Sequence, residues 1–347
     1  MKVAVALSGG VDSFTAALIL KERGHEVFGL FMYVVDEGEM ERSPAYLRAQ
    51  EAAELLGLPL YGLDLRGEFE KLVVRDFLSE YLQGRTPNPC ILCNLRVKFG
   101  LLASEAKGRG AEAFATGHYV RRTERDGRFL LLRGRDRKRD QSYFLWPLRQ
   151  EQLRSSIFPL GDLEKEEVKE MAASHGYPVE RASESREICF IPDGDYRRFL
   201  EARLPTVPPE GEIVDLEGRI LGRHKGVHRF TVGQRRGLGI KDRRPYYVVR
   251  IEPKEGRIVV GRVEDLYSRR LRAKGVNWVA SPPGEEFEAE GQVRYRQKPA
   301  SCRVIARGDE LICEFSDPQR AVTPGQAIVL YRGDVLLGGG WIEEVLG

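Results

Sequence analysis

The sequence lacks the features that mark membrane and secreted proteins. Its 347 residues contain no apolar run near the ~20 residues needed to cross a bilayer. The apolar start at 3–7 is too short for the core of a signal peptide. Five cysteines, an odd number, argue against a framework of structural disulfides. These absences favour a cytoplasmic protein that has no membrane partner.

The chain also has little net charge, formally +3, so the total charge indicates no particular partner. The distribution of charge is more informative. Between Arg219 and Arg250, ten Lys or Arg residues stand against one acid, Asp242. A second basic cluster comprises Arg133, Arg135, Arg137, Lys138 and Arg139. Such stretches are typical of polyanion-binding proteins, although a solvated surface balanced by acids elsewhere fits each stretch equally well.

The N-terminal 204 residues alternate strand and helix patterns, which predicts an α/β domain built on a parallel sheet with helices on both faces. The predicted strands are 3–7, 27–35, 58–63 and 113–116, and the predicted helices include 44–56 and 68–83. Ligands of such sheets bind beyond the carboxyl ends of the strands.

A different pattern follows the proline-rich break at Pro205, Pro208 and Pro209. Helix patterns end there, and short β-branched and aromatic runs appear between turn residues. The predicted strands are 246–251, 257–260, 291–295, 302–306, 311–315 and 327–331. We predict a small basic β module at 205–265 and a C-terminal β-barrel at 266–347. Cys302 and Cys313 fall in alternating runs and are expected in the core.

The string Ser-Gly-Gly-Val-Asp-Ser at 8–13 joins the first predicted strand to the first helix. Glycines and a helix N-terminus let backbone N–H groups approach a phosphate, and Ser8 and Ser13 add hydroxyl donors. Asp12 is expected to help hold Mg²⁺ on the phosphates. The string lacks the Gly-Lys-Ser/Thr ending of the common ATPase loop. A plain glycine turn with a helix cap is the structural alternative.

Three cysteines lie in distinctive contexts. Cys90 and Cys93 follow two prolines in the segment 86–94, which predicts a rigid extended loop that presents both thiols. Cys189 lies far downstream. Sulfur transfer needs such a pair, one cysteine to carry a persulfide and a second thiol to release the sulfur by forming a disulfide. The cations Arg96, Lys98 and Arg186 are expected to favour the thiolates.

Two metal-binding alternatives exist for the same cysteines. Cys-x-x-Cys is often half of a zinc site, but no second Cys-x-x-Cys completes one. Cys90, Cys93 and Cys189 could instead be three ligands of an iron–sulfur cluster of the 4Fe-4S type. The cluster stays open as an alternative mechanism for the same overall reaction.

Together these motifs resemble the bacterial tRNA-specific 2-thiouridylase family (tRNA-uridine 2-sulfurtransferase, MnmA/TrmU) of the PP-loop ATP pyrophosphatase superfamily. The similar strings, in chain order, are Ser8–Ser13, Thr86–Asn94, Ala115–Tyr119, Asp140–Leu145, Glu187–Ile191, Gly222–Gly226, Thr231–Gly239, Val293–Arg296, Thr323–Gln326 and Gly338–Ile342. The resemblance therefore covers nearly the whole chain.

The resemblance implies an adenine nucleotide alpha-hydrolase-like fold and an ATP-dependent 2-thiolation of a tRNA wobble uridine. ATP would be bound by Ala6, Leu7, Ser8, Gly9, Gly10, Val11, Asp12, Ser13, Met32 and Gly117. Cys93 would be the nucleophile and Cys189 the persulfide carrier. The residues expected to contact tRNA are Asn88, Pro89, Cys90, His118, Arg139, Asp140, Gln141, Arg294, Tyr295 and Gln326. The implied partners are tRNAs for Lys, Glu and Gln and a sulfur-relay protein or cysteine desulfurase.

Two features depart from the family pattern. Some members carry Asp where this chain has Cys90, which keeps the cluster alternative open. The usual Lys-Asn-Trp is replaced by Tyr33-Val34-Val35. Two other functions also fit a PP-loop. A ligase for a small metabolite would need neither the cysteines nor the basic β region, and an RNA-binding protein with a decayed loop would not keep the intact string.

Overall fold

The computed structural model describes residues 1–35, 38–181, 188–191 and 193–346. In chain order, the elements of the first part are β1 (Lys2–Ala6), α1 (Val11–Glu22), β2 (Glu26–Tyr33), α2 (Pro44–Leu56), β3 (Leu60–Asp64), α3 (Arg66–Phe69), α4 (Arg75–Leu82), α5 (Pro89–Leu92), α6 (Ala103–Gly108), β4 (Ala113–Ala115), β5 (Val120–Arg125), β6 (Arg128–Arg133), α7 (Gln150–Arg154), β7 (Ser156–Ile157), α8 (Lys165–Ser174) and α9 (Tyr196–Arg203). Two π-helical segments, Glu70–Val74 and Cys93–Leu102, join α3 to α4 and α5 to α6.

Five strands form the predicted parallel sheet, in the order β3-β2-β1-β4-β7. Alternate residues of β1 point to opposite faces because side chains alternate along a strand. Val3 and Val5 pack with α1, α2 and α8, whereas Ala4 packs with Phe99 and Leu102 on the other face. The sheet order places β1 between β2 and β4, so the carboxyl ends of β1 and β4 mark the expected ligand edge.

The second part is all β up to the C-terminus. Its strands are β8 (Gly211–Val214), β9 (Ile220–His224), β10 (Tyr247–Glu252), β11 (Arg257–Gly261), β12 (Tyr267–Trp278), β13 (Glu286–Gln292), β14 (Ala300–Arg307), β15 (Glu310–Arg320), β16 (Ala327–Arg332) and β17 (Val335–Leu346). A small sheet has the order β10-β11-β8-β9. The last six strands, in the order β12-β15-β14-β13-β16-β17, close through β12–β17 pairing into the antiparallel barrel that the sequence predicts. Cys302 and Cys313 are fully buried inside it, as expected.

The barrel is built directly onto the first part of the chain. The β5–β6 hairpin extends the barrel sheet by pairing Leu132 with Val335 of β17. Phe114 and Trp146 share one hydrophobic core with Val329 of the barrel. The sequence analysis missed this hairpin, although its turn at Asp126-Gly127, with both residues at positive φ, is a strong hairpin signal.

Two local predictions are wrong. The segment 86–94 is not extended throughout, because α5 begins at Pro89 and Cys90 and Cys93 lie on helix. Proline suits the first helical position, where its missing N–H has no partner to lose. The predicted strand 291–295 ends at Gln292, and the chain then turns through Arg296, whose φ is +66°. No helix within the described ranges is long and apolar enough to cross a membrane.

Candidate active site

The loop after β1 leaves the N-terminus of α1 open. Gly10 is the extended N-cap residue, and no side chain caps the helix. Ser13 instead turns back into the loop, where its Oγ accepts from the Ser8 N–H at 3.2 Å and donates to the Gly10 carbonyl at 2.9 Å. The backbone N–H groups of the first turn therefore face outward without a capping side chain, as an anion site requires.

Gly9 and Gly117 are needed because other backbone lies against them. Gly9 has φ +75°, and a Cβ there would lie 2.6 Å from the backbone of Arg48 and Ala49. A Cβ on Gly117, after β4, would lie 2.8 Å from the carbonyl carbon of Asp12. Gly117 therefore contacts the first turn of α1. The carboxyl ends of β1 and β4 thus lie at one site. Met32 lies near the carboxyl end of β2 on the same edge.

Asp12 takes part in a buried network that the sequence analysis missed. Its Oδ1 accepts from the Lys165 Nζ at 2.6 Å and from the Tyr119 hydroxyl at 2.7 Å. Lys165 is only 6% exposed and begins α8, where its N–H donates to Asp136 at 3.1 Å. Burial and the Asp12 carboxylate raise the pKa of Tyr119. No pattern in the sequence links Lys165 to Asp12, because 153 residues separate them.

His118 follows Gly117 and points into the protein. Its Nδ1 bonds with Thr116 Oγ1 at 2.7 Å, and its ring lies 6.0 Å from that of Phe99. Burial first, and the charge of Lys98 second, hold the pKa of His118 well below its usual value, so the ring is neutral at pH 7. A contact between His118 and RNA stays a prediction, and it requires a base to enter the site.

The three cysteines gather beside the helix that starts at Pro89. All are free thiols, and Cys93 is 8% exposed whereas Cys90 and Cys189 reach the surface. Phe190 anchors the Cys189 segment because its ring packs edge-on against Phe69 and Phe77, at 5.5 and 5.3 Å. The thiols lie close enough that the charges of Cys93 and Cys90 act on Cys189.

Desolvation dominates the acidity of these thiols, contrary to the expected thiolate character. Burial raises the pKa of Cys93 to about 11 and that of Cys189 to about 12, and it also raises the pKa of Cys90. Lys98 opposes the rise at all three cysteines. It is half-buried and makes no ion pair with any described residue. The other expected cation, Arg186, lies outside the described residues.

Lys98 follows Cys93 by five residues within the π-helical segment. Hydrogen bonds in a π-helix run between residues five apart, so positions five apart lie on one face. Cys93 and Lys98 therefore lie on the same face of this segment. The charge of Lys98 also acts on His118, beside Gly117. Lys98 is thus within electrostatic range of both the thiols and His118.

The residues of the site support Mg²⁺ and an iron–sulfur cluster to different degrees. Asp12 is the one carboxylate of the loop, and its Oδ2 makes no hydrogen bond within the described residues, so it can face a Mg²⁺ ion held by ATP. In the described part of the chain, no group of three or more His, Cys, Asp or Glu side chains is arranged to hold a metal ion. The described residues therefore give no support to an iron–sulfur cluster, which stays an alternative prediction for the three cysteines.

Several residues expected to contact RNA are already engaged within the protein. Asp140 accepts from Gly134 and Ser142, and Gln141 accepts from the Tyr119 N–H at 3.0 Å. The Arg294 guanidinium donates to Thr323 at 3.1 Å, and Tyr295 packs 4.3 Å from the Phe144 ring. Gln326, which is half-buried, is also engaged, because its Nε2 donates to the Thr86 carbonyl at 2.8 Å. Of the other expected positions, Pro89 is buried, and Asn88 and Arg139 are half-buried.

The two basic stretches differ in whether their arginines have acidic partners. In the 133–139 cluster, Arg135 pairs with Glu167 at 3.2 Å and Arg137 pairs with Asp334. In the β module, Arg235 and Arg236 are exposed and form no ion pair with a described residue. The module therefore offers the freer positive charge.

Three family models match the chain. They are described as the tRNA methyl transferase HUP domain at residues 1–193, the tRNA methyl transferase PRC-barrel domain at 197–262 and the aminomethyltransferase beta-barrel domain at 268–342. The fold and the site thus define an α/β enzyme of the HUP type. It carries a PP-loop, which implies the use of ATP, and the chain continues into two β modules.

Curated relatives identify the family. The chain is 46% identical to the tRNA-specific 2-thiouridylase MnmA of Geotalea uraniireducens, over 99% of this chain and 96% of the relative. It is 47% identical to the protein of that name from Geobacter metallireducens, over 99% and 97%. The chain belongs to the tRNA-specific 2-thiouridylase MnmA family. Among solved structures, the chain is similar to the U34-tRNA thiolase NcsA from Methanococcus maripaludis with its [4Fe-4S] cluster. The two are 20% identical, with a TM-score of 0.37, over 59% of this chain and 67% of that one. This similarity is too distant to bear on the mechanism.

Proposed function

We propose that this chain catalyses the ATP-dependent 2-thiolation of the wobble uridine in tRNAs for Lys, Glu and Gln. The observation that carries the proposal is that Met32, at the carboxyl end of β2, packs against the hydrophobic cluster that holds Cys93. This contact links the cysteine helix to the sheet edge where α1 begins with an uncapped N-terminus, and the charge of Lys98 acts on both Cys93 and the nucleotide-side His118. A small-metabolite ligase would have no use for that juxtaposition.

The first step activates the uridine. The O2 atom attacks the α-phosphorus of ATP, pyrophosphate leaves, and the resulting O2-adenylate makes C2 electrophilic. The uncapped N–H groups of α1 receive the phosphates, and Lys165 and Tyr119 hold the Asp12 carboxylate beside them. Mg²⁺ would lie between Asp12 and the phosphates, where it neutralises their charge.

Sulfur transfer follows in two bond exchanges. The terminal sulfur of a Cys189 persulfide attacks C2 and AMP leaves with the former O2, which yields a Cys189 disulfide to the base. The Cys93 thiolate then attacks Cys189 Sγ, which releases 2-thiouridine and forms a Cys93–Cys189 disulfide. An external thiol reduces that disulfide, and a sulfur-relay protein or a cysteine desulfurase restores the persulfide.

The target base must leave its anticodon stack to reach Cys93, at a cost of a few kcal/mol. Asn88, Pro89 and Cys90 at the start of α5 are the proposed neighbours of the base. His118, Arg139, Asp140, Gln141, Arg294, Tyr295 and Gln326 form the proposed RNA contacts, and Arg235 and Arg236 add contacts to the phosphate backbone.

The test is an anaerobic reconstitution with tRNA-Lys, ATP-Mg²⁺ and a persulfide donor, read by mass spectrometry of nucleosides. We expect 2-thiouridine from the native chain and none from Cys93→Ser or Cys189→Ser. Cys302→Ala, which removes a thiol inside the barrel, is the matched control and should retain the product. Iron is measured on the same samples, and activity that tracks bound iron would replace the persulfide route with the cluster route. Absence of 2-thiouridine from native protein with verified ATP binding would reject the proposed function.

A further inference from the structure

One turn of the barrel is bonded to the segment that leads into the cysteine helix. The turn Thr323–Gln326, here called the barrel clamp, joins β15 to β16. The Thr86 N–H donates to the Pro324 carbonyl at 2.9 Å. The Gln326 Nε2 donates to the carbonyls of Thr86 at 2.8 Å and Pro87 at 3.3 Å. All three bonds end two or three residues before α5 begins at Pro89.

The clamp itself is fixed to the barrel. The Gly325 N–H donates to the Ile342 carbonyl at 2.9 Å, and the Ile342 N–H donates to the Gln326 carbonyl at 2.8 Å. Arg294 donates to Thr323 Oγ1 at 3.1 Å and to the Ala321 carbonyl at 3.2 Å. The Gln326 side chain thus projects from a turn that is held on both sides.

Close packing reinforces these bonds. Gly325 has φ +91°, and a Cβ there would lie 2.9 Å from both the N and the O of Thr86. Next to it, the Arg85 guanidinium donates to Glu343 of β17 at 2.6 Å. Pro87 and Pro89 have no N–H, so the segment cannot anchor itself through those residues. The barrel supplies the anchor instead.

We propose that Gln326, with Gly325 beside it, is a positioning residue that holds the helix carrying Cys90 and Cys93 in register with the nucleotide edge. The helix runs without a break from Pro89 through the π-helical segment, so a shift at Pro87 moves both thiols and Lys98 together. Misplacement of a reacting group by about 1 Å can cost about a hundredfold in rate. The contact between the barrel clamp and the segment before α5 therefore sets the geometry for sulfur transfer. The activity part of this inference rests on the proposed function.

The experiment compares Gln326→Met with Gln319→Met. The methionine side chain keeps the length of glutamine but loses the donor. Gln319 is a buried glutamine of the same barrel whose Nε2 donates to the Asp317 carbonyl at 2.7 Å, away from the loop. Three quantities are measured: the maleimide alkylation rate of Cys93 in tRNA-free protein, the Kd for tRNA-Lys at one fixed salt concentration, and the single-turnover rate of 2-thiouridine formation.

With Gln326→Met, we expect Cys93 alkylation to rise by about tenfold, because the hydrogen-bond donor to Thr86 and Pro87 is lost and the helix start loosens. The single-turnover rate at saturating tRNA should fall by about tenfold or more, a larger change than the one in Kd. Gln319→Met should leave all three unchanged. Gly325→Ala, which forces a Cβ against Thr86, should act like Gln326→Met.

An unchanged alkylation rate in both Gln326→Met and Gly325→Ala overturns the clamp. A fall in 2-thiouridine that is fully explained by a weaker Kd also overturns it and leaves Gln326 as an RNA contact only. If the native chain forms no 2-thiouridine, the proposed function fails, and the alkylation rates still decide whether the clamp positions the thiols.

Discussion

Lys98 is the residue whose charge best explains how the buried Cys93 thiol could react. Desolvation raises the pKa of Cys93 to about 11, so little thiolate exists at neutral pH, and the alkylation rate should keep rising with pH toward that value. Lys98 works against the rise at Cys90, Cys93 and Cys189. We therefore expect the electrostatic support for sulfur transfer to depend on Lys98, which makes no ion pair with a described residue.

Replacing Lys98 by Met should raise the pKa of Cys93 further. At pH 8 we expect alkylation of Cys93 to slow by about fivefold, as for a loss of about 1 kcal/mol of charge interaction. Lys98→Arg keeps the charge and should stay near the native rate. The measurement is the rate of iodoacetamide labelling from pH 7 to 11, and superimposable profiles for native and Lys98→Met proteins would refute this role.

Lys165 is expected to serve the activation step rather than sulfur transfer. Lys165→Met removes the charge-assisted hydrogen bond to Asp12, and we expect tRNA-dependent pyrophosphate release to fall by about tenfold or more. Lys169→Met, one turn along α8 and paired with the exposed Glu166, is the control. Equal pyrophosphate release from both variants would contradict a role for Lys165.

At the scale of elements, the packing of α2 against the phosphate loop requires a residue without Cβ. Gly9→Ala would push a Cβ to within 2.6 Å of α2 backbone at a positive φ. We expect a loss of about 1–3 kcal/mol in the free energy of unfolding. Gly67→Ala, on α3 with open space around it, should instead raise stability by about 0.5–1 kcal/mol. Urea titrations measure both, and a stable Gly9→Ala protein would show that the loop can move away from α2.

One carboxylate of α9 contributes to the link with the β module, beside the bonds that Tyr196 and Arg197 donate to the Arg229 carbonyl. Glu201 accepts from Arg229 at 2.6 Å and lies 3.0 Å from Nε2 of the buried His228. These partners lower the pKa of Glu201 from 4.5 to about 2. Because the folded-state pKa is the lower one, the stabilisation is present above pH 4.5 and is lost as the pH falls toward 2.

Acid titration of Glu201→Gln tests this link. The native protein should lose unfolding free energy between pH 4.5 and 2, and the variant should lose less over that range because it lacks the titrating group. Glu252→Gln, on β10 with only an Arg250 partner, serves as the control. Identical pH slopes for native protein and Glu201→Gln would contradict the assignment.

For the whole molecule, the distribution of positive charge decides where RNA phosphates bind. Arg235 and Arg236 are exposed and lack acidic partners in the described chain, whereas Arg135 and Arg137 of the 133–139 cluster pair with acids. Arg235→Ala with Arg236→Ala should weaken tRNA binding and reduce the slope of log K against log salt by about 2. Arg303→Ala, paired with Glu286 on the barrel, should leave the slope unchanged, and an unchanged slope in the double variant would place the RNA elsewhere.

The sequence by itself predicted the parallel sheet, the closed barrel and the family, because strand and helix periods and glycine or proline strings are local properties. Strand bounds of the sheet agree within one or two residues. The division of the chain at 204 and 265 and the roles of the site residues stay predictions. The helical start at Pro89 agrees with the preference of proline for a first helical position, but Pro87 and Pro89 together also favour an extended segment, so the sequence alone does not choose between the two.

Only the tertiary structure decided which distant residues meet. Three contacts join positions more than a hundred residues apart. Lys165 donates to Asp12, Gln326 donates to Thr86, and the sheet and the barrel share one hydrophobic core. The structure also showed that burial, and not nearby cations, dominates the pKa of the thiols. Desolvation depends on every group packed around an atom, so no local pattern in the sequence can state it.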